Sequence, residues 1–489
     1  MNDQAHRTKV PVYANKIMSA SIPYYEIPED SMAPRIAHQV IIDEMNLDGN
    51  PMLNMASFVC TYMDEYGEDL ILKGSRKNFI DLDEYAITYS MQMRCVNMIA
   101  RLFNAPLSAK EEATGTSCIG SSEAIMLAGL ALKWKWRERR RKAGLSYDKP
   151  NLVMGSNVQV CWHKFCMYFD VERRESPMST DCLVLTPERA KPLLDENTIG
   201  ICIILGSTYN GEFEDVKGIH EMLEEYNKEH NLEIPIHVDA ASGGFIAPFL
   251  NPDLVWDFRL PLVKSINTSG HKFGLVYPGV GWALWRERKD LPDDLIFHVN
   301  YLGGDQATFT FNFSKPAGQI VAQYYQLIRL GKSGYRSILE TGMKNAEYLR
   351  DGLREMGLFD IVDKAHMPLV AFSLKDNHAK YSLFDVQDRL KACGWIVPAY
   401  RCPIESKEFI VSRVVVKQNM TRHMCDMLIK DVKNAISSLE EETKLMGPTP
   451  TSTAYTDEKA HHFWQLISKA IVKGDIGHRF RAERTHGVC

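Results

Sequence analysis

The chain of 489 residues predicts an α/β fold, with a large domain built on a mainly parallel sheet and a smaller C-terminal α/β domain. Three observations predict it. The runs Asn151 to Gly155, Thr198 to Gly206 and Ile234 to Val238 are almost continuously apolar, as parallel strands covered on both faces require. A helix opens at Gly120-Ser121-Ser122-Glu123-Ala124, where Ala124, Met126, Leu127, Leu130 and Ala131 supply helical apolar spacing. After a helix-rich connector (319–353), Leu369 to Leu374 and Phe409 to Val416 read as strands and Leu383 to Cys393 as a helix. The expected divisions are an arm (1–57), a large domain (58–343), a small domain (344–447) and a linker with a tail (448–489).

Composition excludes several function classes. Hydrophobic residues make up 45% and charged residues 24%, as in ordinary globular enzymes. A net charge of -5 gives no electrostatic case for nucleic acid, and no apolar run reaches membrane-spanning length. Eleven cysteines without CxxC pairs or metal-ligand spacing fit reduced thiols, hence a cytosolic protein without zinc. The first residues lack the apolar core of a secretory signal.

Taken in order, the arm is punctuated by Pro23, Pro28 and Pro34 and carries one helical stretch, 33–46, of a kind that usually needs a partner surface. Two polar-aromatic segments follow, Asn54 to Phe58 and Asn78 to Tyr85, which read as loops with helix caps. At the 120–124 helix start, Ser121 and Ser122 are either an ordinary cap or a phosphate site, since free N–H groups and the helix dipole both favour an anion there. The Arg/Lys-dense end, 133–142, reads as a solvated face. Gln159 lies beyond the first apolar run, and Ser207-Thr208-Tyr209 lies beyond the second.

Asp239 ends the third run, at the carboxyl edge where open α/β sheets bind ligands. An aspartate there can cap the next helix or hold a pyridine nitrogen protonated. About thirty residues on, Thr268-Ser269-Gly270-His271-Lys272 sets one amine among hydroxyl and imidazole donors. An amine that condenses with an aldehyde, donors for an anion and an acid for a ring nitrogen together suit pyridoxal 5'-phosphate. Next, Asn300 to Gln306 is a glycine-hinged loop, a turn or a lid carrying Tyr301. Arg413 interrupts the apolar run Phe409 to Val416 and must find an anion, from an internal salt bridge or a ligand carboxylate.

The stretches His237 to Gly244, Ser269 to Lys272 and Trp256 to Pro261 resemble the glutamate decarboxylases, PLP-dependent transferases of fold type I (aspartate aminotransferase-like), over about residues 23–439. Ile236 to Phe249 and Leu295 to His298 are similar to the plant enzymes. The resemblance implies decarboxylation of L-glutamate to 4-aminobutyrate and CO2, with Lys272, Asp239 and Tyr301 catalytic. It implies that Ser121, Ser122, Gln159, Thr208, Ala241, Ser269, His271 and Ser314 hold the cofactor, Ser314 from a neighbouring subunit. Gln159 would lie on the ring in place of a stacking histidine, so His163 is left out. Ser57, Phe58, Asn78 and Asp81 would receive the distal carboxylate, with a proton shared at Asp81, and Arg413 the α-carboxylate. The chain departs from the family at Ala86, where proline is usual, and at Ser57, where bacterial members carry threonine. The resemblance also implies that the arm packs between subunits, which would make a dimer obligatory, or a larger assembly such as a hexamer.

The tail follows a Pro/Thr/Ser linker at 448–453. It carries Lys469, Lys473, Arg479, Arg481 and Arg484 against Asp475 and Glu483, with Phe463, Trp464, Ile467 and Ile471 near one helical face. That is a basic amphipathic helix able to enter a groove such as calmodulin's, as in the plant enzymes, or a tail with no fixed partner; Gly474 and Gly477 interrupt it. Alternatives are an aminotransferase or a decarboxylase of another amino acid, and, in another class, a silent calmodulin-binding scaffold.

Overall fold

A computed structural model describes residues 22–300, 306–375, 381–403 and 409–446. Helix α1 (Pro34–Met45) starts at a proline, which fixes the first helical φ and needs no N–H partner, and it buries none of its residues. It belongs to a unit apart from Asn50–Thr449, which holds everything described below.

The large sheet has strands β1 (Thr114–Cys118), β2 (Asn151–Gly155), β3 (Glu172–Ser176), β4 (Thr198–Ile204), β5 (Ile236–Asp239), β6 (Val263–Thr268) and β7 (Gly281–Trp285), in the order β1-β7-β6-β5-β4-β2-β3. The pairs from β3 through β2, β4 and β5 to β6 are parallel, while β7 is antiparallel to both β6 and β1. The apolar runs are therefore parallel strands, as expected. Every residue of β2, β4 and β5 is buried, each isoleucine contributing about 1.5–3 kcal/mol on leaving water. Edge strand β3, Glu-Arg-Arg-Glu-Ser, is charged instead, which discourages pairing with another chain.

Helices α2 (Glu65–Gly74), α3 (Ala86–Leu102), α4 (Ser121–Lys142), α5 (Val160–Tyr168) and α6 (Val216–His230) accompany this sheet. The helical span α7 (Gly318–Glu355) then reaches the small lobe. It breaks at Gly331, whose φ of 56° is open to glycine at little cost. The lobe's antiparallel sheet runs β10-β11-β13-β12, from β10 (Phe359–Ile361), β11 (Leu369–Leu374), β12 (Ala399–Arg401) and β13 (Ile410–Val415). A two-stranded ribbon, β8 (Phe297–Val299) with β9 (Gln306–Thr308), precedes α7, and the flanking Leu295, Ile296 and Phe309 pack against the large domain. Helix α8 (Leu383–Ala392) opens with a Ser382/Asp385 capping box, and α9 (Arg422–Met446) closes the described chain.

The expected division at 343/344 falls inside α7, and the main core already includes Met367, Leu369 and Val411 beside β4 and β5 residues. Among the described residues, ten cysteines are free, no cluster fits a metal ion, and no helix is long and apolar enough to cross a membrane. The expected tail and Tyr301 lie outside the described residues.

Candidate active site

At the carboxyl ends of β4, β5 and β6, a cavity of about 210 Å³ meets the N-terminus of α4. Lys272, Asp239, Ser121, Ser122, Gln159, Thr208, Ala241, Ser269, His271, Ser57 and Phe58 all line it. Residues scattered over more than 200 positions converge because parallel strands end on one side of their sheet.

Asp239 is the last residue of β5 and 4% exposed. Trp162 Nε1 donates to its Oδ2 at 2.9 Å; Asn267 Nδ2 and the Ala241 amide donate to Oδ1 at 2.9 and 3.1 Å. All three partners donate, so the carboxylate is fixed beside the cavity rather than spent on capping alone.

Lys272 follows β6 in a turn made by its amide to Ser269 O and by the Leu275 amide to its own carbonyl. Its Nζ donates to Ser242 Oγ at 3.2 Å and stands 5.4 Å from the centre of the Phe58 ring. Burial lowers the amine's pKa, Asp239 opposes this, and Arg413 adds to it. A lowered amine is the form that can attack a carbonyl.

The α4 start departs from an ordinary serine cap. Gly120 is the N-cap residue and no side chain caps the helix, while Ser121 Oγ bonds Ser269 Oγ at 2.6 Å, so two hydroxyls meet at the helix start. A Cβ on Gly281 would lie 2.6 Å from Gly120 C and 2.9 Å from Ser121 N. Glycine there lets β7 press against the helix start. His271 Nδ1 is 2.7 Å from Val280 O and therefore donates, leaving Nε2 as an acceptor in the neutral ring. Burial, with Lys272 beside it, holds that imidazole down to about 4. Gln159 caps α5 through Cys161 N at 2.7 Å.

Arg413, on β13 and 1% exposed, makes no salt bridge among the described residues. Its guanidinium donates to Thr208 O, and to Ala56 O at 2.9 Å, while its carbon lies 4.8 Å from the Phe58 ring and 5.4 Å from the Tyr400 ring. Nε has no partner. The internal salt bridge is not realised. Arg413 is not among the residues lining the Lys272 cavity, and it reaches the site through the Phe58 ring, which does line it.

Asn78, Asp81 and Ser314 do not line the Lys272 cavity. They gather elsewhere, Asn78 Nδ2 lying 3.5 Å from Asp81 Oδ1 and 3.4 Å from Ser314 Oγ. The bridge between Asn78 and Pro316 holds this group together. Sequence reasoning missed Trp162, Ser242, Asn267 and His237. A readable signal existed for two of them: His237 precedes Asp239 by two positions, and Asn267 follows Ser265 by two, which places polar side chains on one strand face.

The residues fit pyridoxal 5'-phosphate part by part. There is an amine of lowered pKa for its aldehyde, a donor-held carboxylate for its ring nitrogen, and a helix N-terminus with hydroxyls, closed by a glycine contact, for its phosphate.

Residues 35–375 match the pyridoxal-dependent decarboxylase conserved domain. The chain is 53% identical over 489 residues to glutamate decarboxylase 1 of Arabidopsis thaliana, covering 98% of this chain and 97% of that protein. It is 49% identical over 487 residues to glutamate decarboxylase of Solanum lycopersicum, covering 98% and 96%. Among solved structures, Lactobacillus brevis glutamate decarboxylase superposes with a TM-score of 0.84 at 42% identity, over 88% of this chain and 98% of that one.

Proposed function

This chain belongs to the pyridoxal-dependent decarboxylases, and within them to the glutamate decarboxylases, and on that footing we propose that its Lys272 cavity removes the α-carboxylate of L-glutamate as CO2, leaving 4-aminobutyrate. The observation that carries this is Arg413, a buried guanidinium without an anion, on the same Phe58 ring as the Lys272 amine.

Pyridoxal 5'-phosphate supplies an aldehyde for amino groups and a ring that accepts an electron pair. Lys272 is the residue that would carry it, Asp239 would serve its ring nitrogen, and Gln159, Thr208 and Ala241, which line the same cavity, would complete the walls. The α4 N-terminus with Ser121, Ser122 and Ser269 would hold its phosphate, while His271, whose one ring proton goes to Val280 O, would line the cavity without donating to that anion. Arg413 grips the α-carboxylate and so sets which bond to the α-carbon is broken, because orientation decides between loss of CO2 and loss of a proton. Ser57 and Phe58, which line the same cavity, would receive the distal carboxylate. Tyr301 delivers the proton that replaces CO2.

Asn78, Asp81 and Ser314 serve the site of a second subunit, which makes the enzyme at least a dimer. Their clustering away from their own chain's cavity supports this. We place the enzyme in the cytosol, which the free thiols support, and read the 461–489 tail as a calmodulin-binding segment. Calcium dependence of full-length against tail-truncated protein tests that last reading.

The test of the reaction is release of labelled CO2 from C1 of glutamate, with Lys272→Ala as control. Release in the wild type and its loss in the variant are expected. Formation of a 2-oxo acid in place of amine, or release that survives Lys272→Ala, overturns the assignment.

A further inference from the structure

Behind Asp239, three side chains form an unbroken line across two strands. Asn267 Nδ2 donates to Asp239 Oδ1 at 2.9 Å, His237 Nε2 lies 2.7 Å from Asn267 Oδ1, and His237 Nδ1 lies 2.7 Å from Ser265 Oγ. The register of β5 on β6 pairs His237 with Ser265 and Asp239 with Asn267, so the period of two sets all four on one face. Ser265, His237 and Asn267 are at most 1% exposed.

The direction of the chain is dictated from the Asp239 end. A carboxylate only accepts, so Asn267 turns its amide nitrogen to Asp239 and its carbonyl to His237. A carbonyl also only accepts, so His237 carries its proton on Nε2. The neutral ring then accepts at Nδ1, and the Ser265 hydroxyl donates. Burial keeps the ring neutral by pushing its pKa down to about 4. Trp162 closes the arrangement from the other side, donating to Asp239 Oδ2 at 2.9 Å and meeting the His237 ring edge-on at 5.2 Å.

We propose that Ser265, His237 and Asn267 are positioning residues for the decarboxylation, a one-way donor chain that holds Asp239 in the orientation that keeps the cofactor's ring nitrogen protonated. Loss of the Ser265 hydroxyl leaves His237 Nδ1 a buried acceptor without a donor, and loss of the His237 donor leaves Asn267 Oδ1 in the same state. In either case the carboxamide that aims its Nδ2 at Asp239 is no longer held from behind, and Asp239 loses part of the alignment that favours a protonated ring nitrogen. The inference rests on the function proposed above.

The test compares Ser265→Ala, His237→Phe and His237→Gln holoenzymes. Phenylalanine fills the ring's place without hydrogen bonds, whereas glutamine can donate to Asn267 and accept from Ser265, so it restores the chain. The readouts are the nitrogen-15 resonance of ring-labelled pyridoxal phosphate, the cofactor's dissociation constant, the melting temperature, and kcat and KM for glutamate. Ser265→Ala and His237→Phe are expected to move the ring nitrogen toward its unprotonated resonance, weaken the cofactor at least tenfold and lower kcat at least tenfold. KM should stay within about threefold, because Arg413 lies outside the chain. His237→Gln should recover the resonance. A native resonance in Ser265→Ala, or a His237→Gln protein as impaired as His237→Phe, overturns the proposal, even where His237→Phe fails to fold. Wild-type protein that binds pyridoxal phosphate yet releases no CO2 instead defeats the reaction assignment, and the resonance still decides the donor chain.

Discussion

Trp162 Nε1 donates to Asp239 Oδ2 at 2.9 Å, from a helix residue to a strand end 77 positions later. Hydrogen bonds to charged groups are worth about 1.5–3 kcal/mol, and here the cost of losing one falls on the group that faces the cofactor ring. Trp162→Phe keeps most of the buried ring and removes the donor. The expected outcome is a dissociation constant for pyridoxal phosphate raised roughly tenfold to a hundredfold, read by titrating the apoenzyme, with the secondary structure unchanged by circular dichroism.

Arg413 separates receptor geometry from charge. Arg413→Lys retains a cation but cannot bridge Thr208 O and Ala56 O while presenting a fork to a carboxylate. KM for glutamate should rise about tenfold or more, a loss of at least ~1.4 kcal/mol in carboxylate binding. Steady-state kinetics at saturating cofactor checks this. An unchanged KM would remove Arg413 from the substrate site.

Gly281→Ala places a methyl 2.6 Å from backbone at Gly120, where no flexible side chain can yield. The α4 start must move, at a cost of about 1–3 kcal/mol. Thermal melts should show lower stability, and equilibrium dialysis a weakened hold on phosphate-bearing cofactor. Retained affinity at reduced stability would mean that the phosphate is bound elsewhere.

Two buried groups give opposite pH slopes. His237 falls from 6.5 to about 4 on burial, so folding selects its neutral form. Its contribution, up to roughly 3 kcal/mol, is complete above pH 6.5 and is lost as pH falls toward 4. Glu214 rises from 4.5 to about 7, burial outweighing donors from Asn157, Leu185 N and Ile204 N. Its contribution is complete below pH 4.5 and is lost as pH rises through 7. Urea denaturation between pH 4 and 8 should show a shallower acid-side loss in His237→Gln and a shallower neutral-side loss in Glu214→Gln. Slopes equal to wild type would refute both assignments.

Legibility in the sequence followed locality. Asp239, Lys272 and the Ser121-Ser122 helix start could be read because each sits next to its own signal, an apolar run ended by a polar residue or a serine pair opening an amphipathic helix. Trp162 could not, since a buried tryptophan in a short apolar helix looks like core. The division at 343/344 was set within the helix-rich connector 319–353, and in the structure that stretch lies within one helical span, Gly318–Glu355, on which residues of both lobes pack.

By itself the sequence determined which chemistry the chain can hold, because strand burial, helix caps and the reactive amine depend on neighbours a few residues away. Tertiary structure alone decided which distant groups meet. The β5/β6 register set Ser265 and His237 behind Asp239, the small lobe's β13 brought Arg413 to Phe58 without an anion, and the Asn78–Asp81–Ser314 group was parted from the Lys272 cavity. Such pairings depend on how strands and lobes come together across hundreds of residues, which no local pattern encodes.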